Sequence, residues 1–485
     1  MKRRVLTLVL ALVTVLGMLG MLAACAAPDE QEQGLDNSSE AVTGDVYEQA
    51  LAKLTVDMNG DDFVVLGRGD AGSSVSEIMR EEASSDPLEN AVYNRNRALS
   101  EICKLNYIAK LTPSDALSDT LSNDIKAGAG EYAIAFPDMR VAGTMATKSM
   151  LKDFNDLSYI NLDAEWWDQG TARMSVVGKT FWMNSDINYM AHDVTFLTLF
   201  SKVMAQSQGL DDLYETVNNG EWTVDVFSAY AKKVSSDLDG SGKYDENDAY
   251  GLIGTSTMGY AMFYGSEMRY VACDEDGEPY IAMTDTDLLK ASDLLDKVLD
   301  LLYSGHSSYI VAPGKEQDAL RMFINNQGLF YLECASYING LRNMSDDFGV
   351  LPLPKYSKEQ ERYATYVNPV ASTMVVPVGP KNYDDLSKAI ETMAILSSES
   401  VIPTYYELVL KRKTVRDEES AQMLDIIFSN RIYDLACYYE QLGLMHLFQG
   451  TINERTNSFS SKYSSATKKA EKELKRIVNK IEDIE

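Results

Sequence analysis

The sequence predicts an α/β protein, on two observations. Apolar runs of strand length, Phe63-Val64-Val65-Leu66 and Tyr132-Ala133-Ile134-Ala135-Phe136, break up the chain, as strands buried on both faces do. Around them lie segments with apolar residues at helical spacing. Strands and helices that alternate along a chain, rather than segregate, define the α/β class. At 485 residues the chain has length for two or three domains and for substantial cores.

The elements follow in order. Lys2, Arg3 and Arg4 precede an apolar run from Val5 to Met21 and then Leu22-Ala23-Ala24-Cys25. A basic start, an apolar stretch and small residues before a cut describe a secretory signal over residues 1–24. The run has the length to span a bilayer, but Cys after Leu-Ala-Ala resembles the lipobox of bacterial lipoproteins. That resemblance implies a lipidated Cys25, whose acyl chains replace a membrane helix as anchor. Residues 25–44 are polar and aperiodic, a flexible tether. After the first strand comes a polar stretch holding Val75, Ile78 and Met79. Ala91 to Lys110 reads as a helix with Val92, Leu99, Ile102, Cys103 and Leu105 on one face. Pro137 closes the second strand. The chain ends in a charged amphipathic helix, Ala466 to Ile484, with Ala470, Leu474, Ile477, Val478 and Ile481 at helical spacing.

The formal net charge is −29, and removing residues 1–24 takes away three positive charges and no negative one. So acidic a surface repels phosphate backbones and anionic lipid headgroups, which argues against nucleic acid as partner. No second segment is apolar enough to span a membrane. Beyond Cys25, the residues Cys103, Cys273, Cys334 and Cys437 lack metal-ligand spacing, and both disulfides and buried thiols remain open for them.

Two motifs invite a ligand. Gly67-Arg68-Gly69-Asp70-Ala71-Gly72 matches the dinucleotide fingerprint in form. In an exported protein a turn at a cleft edge is the better reading, and the enclosed Arg-Gly-Asp is read as chance. Residues 237–248 are more specific. Asp237, Asp239 and Ser241 occupy positions 1, 3 and 5 of a calcium loop, with Gly242 at 6, the Lys243 carbonyl at 7, Asp245 at 9 and Asp248 at 12. A helical pattern from Val224 to Ser235 leads into it. Asp in place of Glu at position 12 shortens the reach, and no second loop is present. The expectation is a structural calcium.

Catalytic patterns are missing. His192, His306 and His446 lack zinc-site spacing, and neither G-x-S-x-G nor a Walker loop occurs. Tyrosine is abundant, and Trp166-Trp167, Trp182, Tyr260, Phe263-Tyr264, Tyr337, Tyr405-Tyr406 and Tyr438-Tyr439 fall near turns or element ends. Aromatic faces stack on sugar rings while polar side chains bind the hydroxyls.

The order of these segments resembles the family 1 extracellular solute-binding proteins of ABC importers, the superfamily of maltose-binding protein. The pieces are the strand Phe63–Leu66, Tyr93-Asn94-Arg95-Asn96, Tyr132 to Arg140, Leu151 to Leu157, Ile160 to Trp167, Gly178 to Trp182, Gly220 to Asp225 with Thr223 as a helix N-cap, and Phe348 to Lys355. The resemblance implies two α/β lobes around a hinge cleft, joined by three crossings near Asn184–Asn188, Pro354–Tyr356 and residue 400. The lobes would comprise residues 45–184 plus 356–400, and 185–355 plus 401–485 with the calcium-like loop. It implies cleft positions at Arg68, Asp70, Asp138, Arg140, Trp182, Tyr260, Tyr264, Glu333 and Tyr337. The implied protein is no enzyme. It is a monomeric, lipid-anchored receptor on the outer face of the bacterial cytoplasmic membrane, passing a sugar or other small solute to ABC permease subunits. The alternative is a secreted glycan-active enzyme or surface adhesin.

Overall fold

A computed structural model describes residues 43–80, 82–210, 212–255, 257–312, 314–411 and 418–484. The signal segment, Cys25 and the tether up to residue 42 lie outside the described residues, while Thr43 and Gly44, expected in the tether, open a helix, Thr43–Ala52. Two sheets organise the chain. The first is parallel and three-stranded, with β1 (Asp62–Arg68) between β2 (Asn106–Thr112) and β3 (Tyr132–Ala135). Single antiparallel bridges, Ala135 to Val375 and Met183 to Met374, widen it. The second sheet is mixed and six-stranded, built from β4 (Phe196–Ser201), β5 (Ser235–Ser236), β6 (Ala249–Thr255), β7 (Ser308–Val311), β8 (Gly328–Cys334) and β9 (Phe348–Leu351). Its order is β9-β4-β8-β6-β5, with β7 also paired to β6.

The principal helices are α1 (Pro87–Cys103), α2 (Met139–Ala146), α3 (Val224–Lys233), α4 (Met258–Gly265), α5 (Asp285–Tyr303), α6 (Tyr383–Leu396), α7 (Leu435–Tyr438) and α8 (Phe459–Glu482). Their starts are written in the sequence. Asp86 caps α1 by accepting from Leu88 N at 3.0 Å, with Pro87 in the first turn. Thr223 caps α3, as expected, and Thr284 with Asp287 forms a capping box on α5. The end of α1 differs from expectation. Lys104 turns left-handed at φ +51° and stops the helix, so residues 106–110 are not helical. They form edge strand β2, in register with β1.

Buried polar groups tie distant segments together near the first sheet. The Arg95 guanidinium is 1% exposed and donates to the carbonyls of Glu77 (2.7 Å) and Ile187 (3.3 Å), to Ser397 Oγ (3.0 Å) and to Asn96 Oδ1 (2.9 Å). The indoles of Trp166 and Trp167 both donate to the Glu391 carboxylate on α6, each at 3.0 Å. Under the second sheet the packing is aromatic. Trp222 meets Phe227 at 5.6 Å and Phe330 at 5.5 Å, and its indole N–H reaches the Pro352 carbonyl at 3.0 Å. A close approach fixes Gly251 here, since a Cβ would lie 1.8 Å from the Ala231 carbonyl of α3.

Residues Tyr47–Glu485 form one compact unit, and the core residues all lie within it. This part of the chain therefore carries a complete core and folds on its own. Cys103, Cys273, Cys334 and Cys437 are free thiols, which resolves the alternative left open above. Among the described residues no helix is long and apolar enough to cross a membrane.

Candidate functional site

The C-terminal ends of parallel strands are where open α/β sheets place ligands, and the loops at those ends of the first sheet are the candidates here. The loop after β1 carries Asp70, exposed, which accepts from Ser114 N (3.1 Å) and Oγ (2.5 Å) in the loop after β2. The loop after β3 carries Asp138, which caps α2 by accepting from Val141 N at 3.1 Å. One turn into that helix, Arg140 Nη2 donates to Asp138 at 3.0 Å, and Nη1 lies 3.7 Å from Glu440. Burial, the largest single influence, acts to lower the Arg140 pKa, but the bond to Asp138 together with the charges of Asp138 and Glu440 outweighs it and the net shift is upward.

Glu440, in the segment after α7, leads on through His446 to Tyr260 on α4. The Tyr260 hydroxyl and His446 Nδ1 are 2.6 Å apart, and His446 Nε2 lies 3.8 Å from Glu440. Tyr260 stacks on Tyr366 (5.8 Å, 22°), which stacks in turn on Tyr264 (5.0 Å, 5°). Burial, then the nearby Cys437 and Glu440, push the Tyr260 phenol up to about 12, so it stays a hydroxyl at neutral pH. Beside these groups lies a cavity of 510 Å³, lined by Ser114, Asp119, Asp138, Arg140, Lys148 and Glu440 among others. Ligand pockets run to about 300–1,000 Å³, so it has room for a small sugar.

The residues expected at the cleft divide into three groups. Asp138 and Arg140 line the cavity, while Asp70 joins it through Ser114 and Tyr260 through His446 and Glu440. Glu333 and Tyr337 form a separate cluster at the end of β8. There the Glu333 carboxyl, pushed up to about 7 mainly by burial, accepts from Cys334 N at 3.0 Å, and Tyr337 meets Tyr331 edge-on at 6.1 Å. Arg68, Trp182 and Tyr264 are interior, against the expectation. Arg68 is 3% exposed and donates to the Val370 carbonyl (2.9 Å) and Ser372 Oγ (3.0 Å). Trp182 lies under Tyr438, stacked at 4.5 Å and 17°, with Tyr439 edge-on at 6.0 Å. Tyr264 donates from its hydroxyl to the buried Asp434 at 3.2 Å.

Interior Arg68 leaves no Arg-Gly-Asp surface. Gly67 answers to packing, because a Cβ there would lie 2.1 Å from Ile78 Cδ1. Glu440, His446 and Lys148 were missed in sequence. The pair Tyr438-Tyr439 pointed to this stretch, and Glu440 is the next residue.

Residues 237–248 form the turn that the motif requires, with Gly240 and Gly242 at φ +69° and +75°. Carboxylate oxygens of Asp237, Asp239 and the buried Asp248 lie within 4.8 Å of one another. Asp237 accepts from Ser241 N and Gly242 N (3.2 and 2.7 Å), and Asp248 from Leu238 N and Asp245 N (2.8 and 2.9 Å). Asp245 accepts from Asn247 N at 2.9 Å, and the Lys243 carbonyl from Ser241 Oγ at 3.1 Å. Converging hard anionic oxygens fit calcium by donor chemistry.

No protein-family profile matches the sequence, and no curated protein matches it. Solved structures do match. A cyclo/maltodextrin-binding protein complexed with maltotetraose aligns with TM-score 0.54 and 12% identity over 88% of this chain and 98% of its own. The GacH receptor of Streptomyces glaucescens, solved unliganded and with acarbose, gives 0.51 and 13% over 88% and 100%. The ABC substrate-binding protein Lmo0181 from Listeria monocytogenes, in complex with cycloalternan, gives 0.51 and 11% over 87% and 99%. The chain has the two-lobed α/β fold of the maltose-binding-protein-like solute-binding proteins.

Proposed function

We propose that this chain is the solute receptor of an ABC importer and captures a small carbohydrate at the cleft. The observation that carries this is the meeting of a tyrosine stack, Tyr260 on Tyr366, with the polar array Asp138–Arg140–Glu440–His446 beside a 510 Å³ cavity. The solute-binding fold and the sugars named with its structural neighbours support the reading. A sugar's C–H face stacks on Tyr260, while Arg140 donates to its hydroxyls and Glu440 accepts from them. The role is capture and release without chemistry on the solute. Asp138 is already spent on the Val141 N–H and Arg140, and Asp70 on Ser114.

In this reading the lobes comprise residues 45–184 plus 356–400, and 185–355 plus 401–485. Cys25 carries lipid and holds a monomer at the outer face of the membrane, beside two permease subunits. The loop 237–248 holds a structural calcium through Asp237, Asp239, Ser241, the Lys243 carbonyl, Asp245 and Asp248. A thermal-stability screen against mono- and oligosaccharides tests the receptor. The expected result is a raised melting temperature with one sugar class, lost in Tyr260→Ala. No shift with any glycan defeats the carbohydrate reading. For the metal, calcium should raise the melting temperature and a chelator lower it, and indifference to both removes it.

A further inference from the structure

The last helix, α8, is strongly basic in an acidic protein. It carries seven Lys and Arg against three Glu, while the whole chain has a net charge of −29. Phe459, Tyr463, Ala470, Leu474, Ile477 and Ile481 turn one face of α8 into the core. At 3.6 residues per turn, Lys468, Lys469, Lys472, Lys475, Arg476 and Lys480 fall within an arc of about 140° on the other side. All six are exposed. Glu471 and Glu482 border that arc on one flank, Glu473 on the other, and Asp483 closes it just past the helix end, so the basic stripe is uninterrupted from Lys468 to Lys480. Among the described residues only Arg476 of the six is in an ion pair, with Glu473 at 2.9 Å.

We infer that the exposed face of α8 docks flat against an anionic lipid bilayer. Charge complementarity selects this partner. From Lys468 to Lys480, thirteen residues of helix present a stripe about 20 Å long, which suits an extended anionic plane. At physiological salt, charges farther away than about 8 Å are largely screened. A bilayer facing α8 therefore responds to the stripe rather than to the net charge of the molecule. Because the apolar face of α8 is committed to the core, attachment is electrostatic and reversible, without insertion. This attachment does not depend on what the cleft binds.

The test is cosedimentation of residues 43–485 with vesicles, which leaves the apolar N-terminal run out of the measurement. Vesicles of phosphatidylcholine with roughly one-third phosphatidylglycerol should bind the protein at low salt, and release it as salt is raised several-fold. Pure phosphatidylcholine should not bind it. Changing Lys468, Lys469, Lys472 and Lys475 together to Gln should weaken binding at least about tenfold, with an unchanged circular-dichroism spectrum. A control with Lys126, Lys233, Lys315 and Lys381 changed to Gln should bind as the parent does. Absence of binding to the anionic vesicles, equal binding to neutral ones, or equal losses in the two variants would each overturn the inference.

Discussion

The surroundings of the two sheets are held by different means. Near the three-stranded sheet, distant segments are pinned by buried polar groups: Arg95 joins residues 77, 187 and 397, and Glu391 joins two indoles to α6. Under the six-stranded sheet, Trp222, Phe227 and Phe330 pack by contact area alone, apart from one indole bond. Apolar packing is non-directional and tolerates sliding, whereas buried hydrogen bonds fix which atoms must meet and cost heavily when one partner is lost. The first region therefore fixes relative position, and the second supplies cohesion.

The largest effect that would break this contrast is at Trp222. Trp222→Ala should cost about 3–5 kcal/mol in denaturant unfolding, with no change in how stability varies with pH. A loss under about 1 kcal/mol would deny the aromatic cluster its role. Next, Arg95→Met keeps much of the volume but strands the carbonyls of Glu77 and Ile187 and the Ser397 hydroxyl, for about 2–4 kcal/mol. A near-neutral outcome would mean that the pin is dispensable.

The third prediction concerns pH. Burial pushes the carboxyls of Glu77, Asp186 and Glu391 each up to about 7. A folded pKa above the unfolded one gives stability that is complete below the unfolded value, near about 4, and is lost as pH rises toward 7. Glu391→Gln should flatten that fall by about 2–3 kcal/mol between those limits, read from unfolding curves at several pH values. An unchanged slope would place the titrating group elsewhere. The smallest effect on stability is expected from Glu440→Gln, below about 1 kcal/mol, because its contacts with Arg140 and His446 are half-exposed. The same variant should still weaken binding of the sugar that the stability screen identifies, measured by calorimetry. Unchanged affinity would remove Glu440 from the site.

Local signals in the sequence were reliable and long-range ones were not. The apolar runs at Phe63 and Tyr132, the cap at Thr223 and the glycines of loop 237–248 act within a few residues, and the structure has them. Strand β2 was read as helix because Leu105 and Ile102 continue the spacing of α1; pairing with β1 overrides that local pattern. The site was half legible. Asp138 and Arg140 follow a strand end, a position that sequence order supplies. Glu440 and His446 reach them from some 300 residues away, and no spacing rule connects the two. Trp182 looked like a stacking platform until Tyr438 took that face. Gly143 shows why this stretch packs so closely on α2, since a Cβ there would lie 2.2 Å from the Tyr438 carbonyl.

The double indole clamp on Glu391 has an optical consequence. Four tryptophans make up the whole set, and all are buried: Trp166 and Trp167 on this carboxyl, Trp182 and Trp222 elsewhere. A neighbouring negative charge shifts indole emission, so ionisation of Glu391 near neutral pH will change the colour and yield of half the chromophores with no ligand present. A fluorescence titration of sugar binding must therefore be buffered well away from about pH 7, or it will record a proton as if it were a solute.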